Sequence, residues 1–168
     1  MLILNSTRHS SGKLEQKEDL LQALSTLPMV SIDLIVHDID NRILLGKRKN
    51  PPAKGYYFVP GGRIRRMESL LDAFRRITLM ELGLSYELED SVFLGIFEHM
   101  YGNSAFSEVV GSHYVSIGMR IDLDSSNTVF PAVQHSKYRW LSVEEINVDA
   151  EVHPRTKEFF DRSFGIRQ

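Results

Sequence analysis

Cysteine is absent from all 168 residues, which excludes disulfides, thiolate nucleophiles and cysteine-ligated zinc and fits a reducing compartment. An excess of one charge is missing too: 20 Lys and Arg against 22 Asp and Glu leave a net charge of -2 and a pI near 6.3. Such a chain carries no overall field for nucleic acid or an anionic membrane, so any basicity that binds phosphate has to be local. Long apolar runs are also lacking. The opening "MLIL" is too short for the core of a signal peptide, and no later stretch approaches the roughly 20 apolar residues that span a bilayer. These absences predict a cytoplasmic protein with a small-molecule partner, and neither nucleic acid nor membrane.

What is present reads as one ordinary globular domain, 42% hydrophobic and 25% charged, long enough to bury a core and without repeat, low-complexity tract or linker. Residues 1–28 read as an N-terminal extension, in which Leu14, Leu20, Leu21 and Leu24 form one face of a short helix ending near Leu27 and Pro28. The domain proper is expected over 29–168. In "MVSIDLIVH", Val30, Ile32, Leu34 and Val36 share a strand face, and the turn residues of "DIDN" lead into "RILLGKR" to give a predicted hairpin. "NPPAKG" reads as a loop, "YYFVP" as a short strand and "GGRIRRME" as a turn into a long helix closed by Gly83. Strands follow at "SVFLGIFEHMY", "GSHYVSIGMRIDL" and "KYRWLS", then helices at "VEEIN" and "PRTKEFFDRSF". Many strands with few helices predict an α+β fold, a mixed sheet sandwiched between helices in an α/β/α arrangement.

Acid is scarce where it would be useful. In "GGRIRRMESLLDAFRRITLMELGL", Gly61 to Leu84, a glycine turn throws the chain into an amphipathic helix, a layout suited to metal-assisted phosphate chemistry. Such a site gathers several carboxylates, yet the last helical turn offers Glu81 alone among Ile77, Met80 and Leu84. An acid on an apolar face needs a partner or a metal ion. A Gly-Gly pair by itself is more often only a turn, and the helix that follows alters that reading.

The segment resembles the signature box of the Nudix hydrolases, G-x5-E-x7-R-E-U-x-E-E-x-G-U, with U a bulky apolar residue. Gly62, Glu68, Arg76, Glu81, Gly83 and Leu84 occupy their positions in register. Ile77 and Met80 stand where two glutamates are usual, and Thr78 where the apolar residue is usual. These departures read either as a relic that binds without catalysing or as the mark of a branch. "LLGKR", "PAKGYYFVPGGRI", "ESLLDAFRRITLMELGL" and "QH" before "YRW" resemble the GDP-mannose mannosyl hydrolases, a Nudix branch whose box lacks the same glutamates, over residues 29–140.

That resemblance implies a site. One Mg2+, for which Mn2+ can substitute, is expected on the carbonyl of Gly61, the carboxylate of Glu81 and the amide of Gln134. These are hard oxygen donors of the kind Mg2+ takes alongside waters and diphosphate oxygens. His135 matches the branch's proposed general base, and an imidazole titrating near neutral pH suits the task. Arg48 and Arg63 match arginines on the diphosphate, which a guanidinium binds by paired hydrogen bonds at any pH. Asp33, otherwise a half-exposed strand acid beside Ser31 and Ile35, matches an aspartate that contacts the sugar. His99 and Tyr114 are implied to line the substrate site, although packing is the ordinary role of such strand residues; His113 has no assigned part. Glu68 reads as a helix-start acid that complements the dipole, Lys47, Lys49, Arg65 and Arg66 as solvated, and Tyr138 to Trp140 as a strand packed beside the site.

The implied reaction is hydrolysis of GDP-mannose, or a related GDP-hexose, at the anomeric carbon. His135 would deprotonate water while Arg48, Arg63 and one Mg2+ offset charge on the departing GDP, with inversion through an oxocarbenium-like state. Two alternatives stay open: a pyrophosphohydrolase that attacks phosphorus and releases a nucleoside monophosphate and sugar phosphate, and a non-catalytic nucleotide-sugar binding module. The leucine face of 1–28 and the family's habit imply a homodimer, though a monomer with a packed helix satisfies the same pattern.

Overall fold

From Ser31 to His37 every residue of the strand Met29–His37 is buried, so the alternation in "MVSIDLIVH" does not mark one wet face and one dry one. The computed structural model describes residues 17–124 and 129–167. Its elements run α1 (Lys17–Thr26), β1 (Met29–His37), β2 (Ile43–Arg48), β3 (Tyr57–Phe58), β4 (Gly61–Arg63) and α2 (Leu70–Leu82). A 3-10 turn at Leu88–Asp90 leads to β5 (Val92–Tyr101), β6 (Ser112–Asp122), β7 (His135–Leu141), α3 (Val143–Val148) and α4 (Pro154–Glu158). Seven strands among the described residues make one mixed sheet in the order β3-β2-β1-β6-β5, with β4 added on β1 and β7 on β2. β1 and β6 run parallel; the other pairs are antiparallel.

The sheet is covered on both faces, as an α/β/α sandwich requires. On one side Ile32, Leu34 and Val36 of β1 meet Phe74, Ile77 and Leu82 of α2, with Met119 and Ile121 of β6. On the other, Ile35, Leu45, Phe58 and Phe97 meet Ile146 of α3, Val152 and Phe159. β1 lies between the two cores and is buried twice over, which explains why Asp33 is only 8% exposed rather than half-exposed. Of the predicted leucine face, Leu20 and Leu24 are buried in α1, Leu21 is half-buried, and Leu14 lies outside the described residues. Among the described residues no helix is long and apolar enough to cross a membrane.

Helix α2 is fixed at both ends by its own sequence. Ser69 caps the first turn by accepting from the Asp72 backbone N–H at 3.1 Å. Gly83, at φ 77°, ends the helix in the left-handed region and donates its N–H to the Leu79 carbonyl. Thr78, fully buried, donates its hydroxyl to the Phe74 carbonyl at 2.9 Å and accepts from the Tyr86 N–H at 3.0 Å. A hydroxyl therefore stands in the box where an apolar residue is usual because it ties down the chain beyond the helix.

Several local expectations differ from the structure. The β1–β2 hairpin exists only at its base, where His37 faces Ile43; β1 then turns to β6 and β4, and β2 to β7 and β3. The last strand begins at His135 rather than Lys137, because His135 pairs with Arg48 across a bulge in β2. The last helix stops at Glu158. Phe159 packs on Phe97 at 4.6 Å between ring centres, and Asp161 folds into a turn by accepting the backbone N–H of Ser163.

Candidate active site

Gly61 and Gly62 lie in strand β4, not in a turn, pairing with Asp33 and Ile32 of β1. Neither is among the glycines with positive φ; they serve close approach. A Cβ on Gly61 would lie 2.3 Å from Asp33 Oδ1 and 2.8 Å from the Ile32 carbonyl oxygen, and one on Gly62 would lie 3.1 Å from Ile77 Cγ1. A side chain at Gly61 would thus displace the floor of the site, while one at Gly62 would require Ile77 of α2 to give by a few tenths of an ångström.

A cleft of about 320 Å³ opens here. Asp33, Arg48, Gly61, Arg63, His99, Tyr114 and Gln134 all border it, so the fold gathers seven of the nine site residues expected from the sequence. Glu81 and His135 lie just behind, each 2% exposed. Gln134 links the two layers: its Nε2 donates to Glu81 Oε1 at 2.5 Å, while His135 Nε2 sits 3.1 Å from Glu81 Oε2. The His135 ring lies against Gly46, where a Cβ would meet Nδ1 at 2.3 Å, and that nitrogen is buried without a hydrogen-bond partner.

Burial dominates the titration of the polar floor. Desolvation pushes the Asp33 carboxyl up to about 6, against a hydrogen bond from Ser116 and the charge of Arg48, which pull it down, and Glu81, which raises it. Ser116 Oγ donates to Asp33 Oδ2. His99, 2% exposed, is held neutral because burial lowers it to about 4, helped by Arg155 and His153. Burial likewise raises the Tyr101 and Tyr114 hydroxyls, which stay protonated as donors. Arg48 is braced by donating Nε to the Pro52 carbonyl at 2.8 Å, its guanidinium carbon 6.0 Å from the Phe58 ring centre. Arg63 belongs to β4, and its carbonyl accepts from Arg76 Nη2 at 2.9 Å.

Phe58, Tyr101, Phe106 and the box residue Arg76, none of which the sequence assigns to the site, also border the cleft, and Arg65, exposed as the sequence predicts, stands at its wall. Tyr101 had a usable signal, since the two-residue period of a strand puts it on the same face as His99. Glu68 needs correction. It precedes the cap of α2 and is clamped by Arg76, Nε to Oε1 at 2.6 Å and Nη2 to Oε2 at 2.8 Å, so it answers an arginine rather than the helix dipole. His113, on the outer face, stands 3.4 Å from Glu98.

A family model for the NUDIX domain matches residues 27–163. The chain belongs to the Nudix family. It is 35% identical to the low-salt glycan biosynthesis protein Agl8 of Haloferax volcanii over 138 residues, covering 82% of this chain and 83% of that one. It is 41% identical to an ADP-ribose pyrophosphatase of Methanocaldococcus jannaschii over 75 residues, 44% of each. In fold it matches a MutT protein from Methanosarcina mazei Go1 with a TM-score of 0.64 at 19% identity, over 80% of this chain and 92% of that one. The NUDIX domain of Shewanella oneidensis NrtR, in complex with ADP ribose, gives 0.57 at 17% identity over 79% and 86%.

Nudix hydrolases in general need a divalent cation such as Mg2+, and the donors at Glu81 suit one. Its carboxylate is buried, and its ion-pair partner among the described residues is His135, which is charged only when protonated. A buried anion of this kind gains from a cation. Among the described residues no three His, Asp or Glu side chains converge into a ligand cluster. The ion would therefore combine Glu81 with neutral oxygens, for which the Gln134 amide, already in contact with Glu81, and the Gly61 carbonyl at the cleft wall are the candidates.

Proposed function

We propose that this Nudix protein hydrolyses a GDP-hexose, GDP-mannose being the expected member, to GDP and free sugar by attack of water at the anomeric carbon with inversion. The observation that carries the reading is the state of the box helix. Ile77 is packed in the core against Gly62, and Met80 is 46% exposed, so Glu81 is the one box carboxylate directed at Gln134 and His135. A phosphorus-attacking site gathers metal ions on several carboxylates, whereas departure of an already good leaving group needs chiefly charge compensation.

In this reading Arg48 and Arg63 hold the diphosphate by paired hydrogen bonds, and Asp33, His99 and Tyr114 orient the sugar. Water oxygen bonds to C1 as the C1–O bond breaks, and the electron pair leaves on the β-phosphate of GDP. His135 accepts the water proton at Nε2, which requires that Glu81 release that atom from its 3.1 Å contact and that the neutral ring carry its own proton on Nδ1. A divalent cation held by Glu81, Gln134 and Gly61 would offset charge on the leaving diphosphate. The named role of Agl8 in glycan biosynthesis agrees with a nucleotide-sugar substrate.

The similarity to an ADP-ribose pyrophosphatase over 75 residues favours a second reading, attack at phosphorus with release of a nucleoside monophosphate and sugar phosphate. Turnover in 18O-water separates the two. Label in the free sugar, beside unlabelled GDP, is the expected result. Label in GDP, or release of GMP with sugar phosphate, overturns it in favour of phosphorus attack.

A further inference from the structure

The His99 ring stands between two carboxylates. It projects from β5 opposite Tyr114 of β6 and is wedged edge-on against Phe58 and Phe159. Nδ1 faces Asp33 Oδ2 at 3.8 Å on the cleft side, and Nε2 faces Glu158 Oε2 at 3.9 Å on the far side. Nε2 is buried and has no hydrogen-bond partner. A neutral imidazole has one N–H and one lone pair, and the groups facing its two nitrogens decide which carries the proton. Two acids thus compete for a single N–H.

Glu158 is held firmly on its side of the ring. It ends α4, and its Oε1 accepts from Arg155 Nη1 at 2.7 Å, leaving Oε2 toward His99. The Arg167 guanidinium donates to the backbone carbonyls of Glu158, Phe159 and Asp161. Beside it, Ile166 and Ile96 exchange two backbone hydrogen bonds of 2.8 Å. Gly165, at φ 78°, lies so close that a Cβ would sit 2.8 Å from the Ile96 carbonyl oxygen. The C-terminal segment therefore fastens the end of α4 to β5, three residues before His99. Asp33, by contrast, already takes the Ser116 hydroxyl.

We propose that Glu158 is a positioning residue for the candidate site: its carboxylate keeps the His99 proton on Nε2, so that Nδ1 offers a lone pair to the cleft and accepts a substrate hydroxyl. The nature of that hydroxyl rests on the nucleotide-sugar reading; the tautomer does not. At 3.9 Å the contact is longer than a direct hydrogen bond, and a small rotation of either side chain brings the His99 Nε2–H onto Glu158 Oε2. In the other tautomer Nδ1–H would face the cleft as a donor, suited to a phosphate oxygen rather than a sugar hydroxyl. A carboxylate behind an imidazole sets tautomer and ring orientation in the same way in metal and triad sites.

Two-bond 1H–15N spectra of the imidazole rings at neutral pH, without substrate, read the tautomer directly. The wild-type His99 is expected in the Nε2–H form, as is Glu158→Gln, whose amide oxygen still accepts; Glu158→Leu shifts it toward Nδ1–H. In kinetics, Glu158→Leu raises KM for the nucleotide sugar about threefold to tenfold, on the scale of one hydrogen bond. Inhibition by GDP, which lacks the sugar, stays unchanged, and Glu158→Gln restores KM. A wild-type ring in the Nδ1–H form overturns the proposal without recourse to any variant, and so does a ring that keeps Nε2–H in Glu158→Leu. The expected tautomers in a protein that does not turn over GDP-hexoses leave the positioning role standing and sink the substrate reading instead.

Discussion

Glu68 and Glu81 stand at opposite ends of the same box, and their surroundings differ in kind. Glu68 accepts three hydrogen bonds, two from the Arg76 guanidinium and one from the Arg65 backbone N–H. The same Arg76 reaches the Arg63 carbonyl, so the pair fastens β4 to α2. Glu81 is more deeply buried and is met by an amide and an imidazole, with no permanent cation among those partners. One acid has its charge answered by arginine and holds the frame. The other keeps a charge that a divalent cation can answer, and that separates fastening from chemistry within one motif.

The difference is broken most severely at Glu81. Glu81→Gln keeps the shape and removes the charge, and is expected to lower Mg2+-dependent turnover about 1,000-fold. Mg2+ titration of the folded variant should show the lost affinity; unaltered Mg2+ binding would remove Glu81 from the ligand set. Next comes an attempt to add the missing acid beside it. Ile77 is 1% exposed and touches Gly62, so Ile77→Glu forces a carboxylate into the core and should cost about 4 kcal/mol of stability, read by urea unfolding. A variant as stable as wild type would mean that the position is an open ligand slot after all.

Asp33 sharpens the comparison, being buried like Glu81 yet satisfied by a hydroxyl. Its folded pKa of about 6 lies above the ordinary 3.8, so the unfolded chain ionises first as pH rises. Stability is therefore lost between those two values and stays lower above them. Asp33→Asn removes this loss, and with a chelator present its unfolding free energy should gain about 2 to 3 kcal/mol on wild type between roughly pH 4 and 7. His99 contributes the opposite slope, since burial holds it near 4 and protonation of the unfolded chain erodes stability as pH falls. That slope is common to both proteins and cancels in the difference. Parallel pH curves for the two would show that Asp33 is not raised.

The sequence made the frame legible because the frame is local. The cap at Ser69, the left-handed Gly83 and the register from Gly62 to Leu84 act over a few residues and appear as spacing. The candidate site was legible through the same register and the "QH" before "YRW", which foretold that Gly61 and Gln134 border one cleft. Burial was not legible. Asp33 looked half-exposed because alternation along β1 says nothing of a second core laid on its other face by Ile146 of α3, Val152 and Phe159. Glu68 looked like a dipole acid because its partner Arg76 comes within reach only when α2 folds back over β4. Glu158 gave no signal at all, since its approach to His99 depends on where α4 ends against β5.

At the fastening end the expected effect is smaller. Glu68→Gln should cost about 1 to 2 kcal/mol of stability while leaving turnover within a few fold, because the pair is partly exposed and frames the site without touching its chemistry. The hydrogen bond from Arg76 holds the Glu68 carboxyl below the usual range, against the opposing effect of burial. Its stabilisation is thus present at neutral pH and lost as pH falls through that lowered value, so the gap in Tm between wild type and variant should close in acid. A turnover loss comparable to that of Glu81→Gln would place Glu68 among the reacting groups.

Met80→Glu should do least, and its smallness is informative. Met80 is 46% exposed, with Sδ 3.9 Å from Arg76 Nη1. A glutamate there gains Arg76 one helical turn away but adds negative charge near the helix C-terminus, so the two effects offset to within about 0.5 kcal/mol. The side chain is half-exposed and reaches Arg76, whereas Glu81 is buried against Gln134 and His135, so a glutamate there restores a box letter without restoring a ligand. Sugar release is expected to change less than about twofold. If instead the variant gains release of GMP and sugar phosphate, the exposed position reaches the cleft and the box is a decayed phosphorus-attacking one, with Glu81 the remnant of its acid cluster.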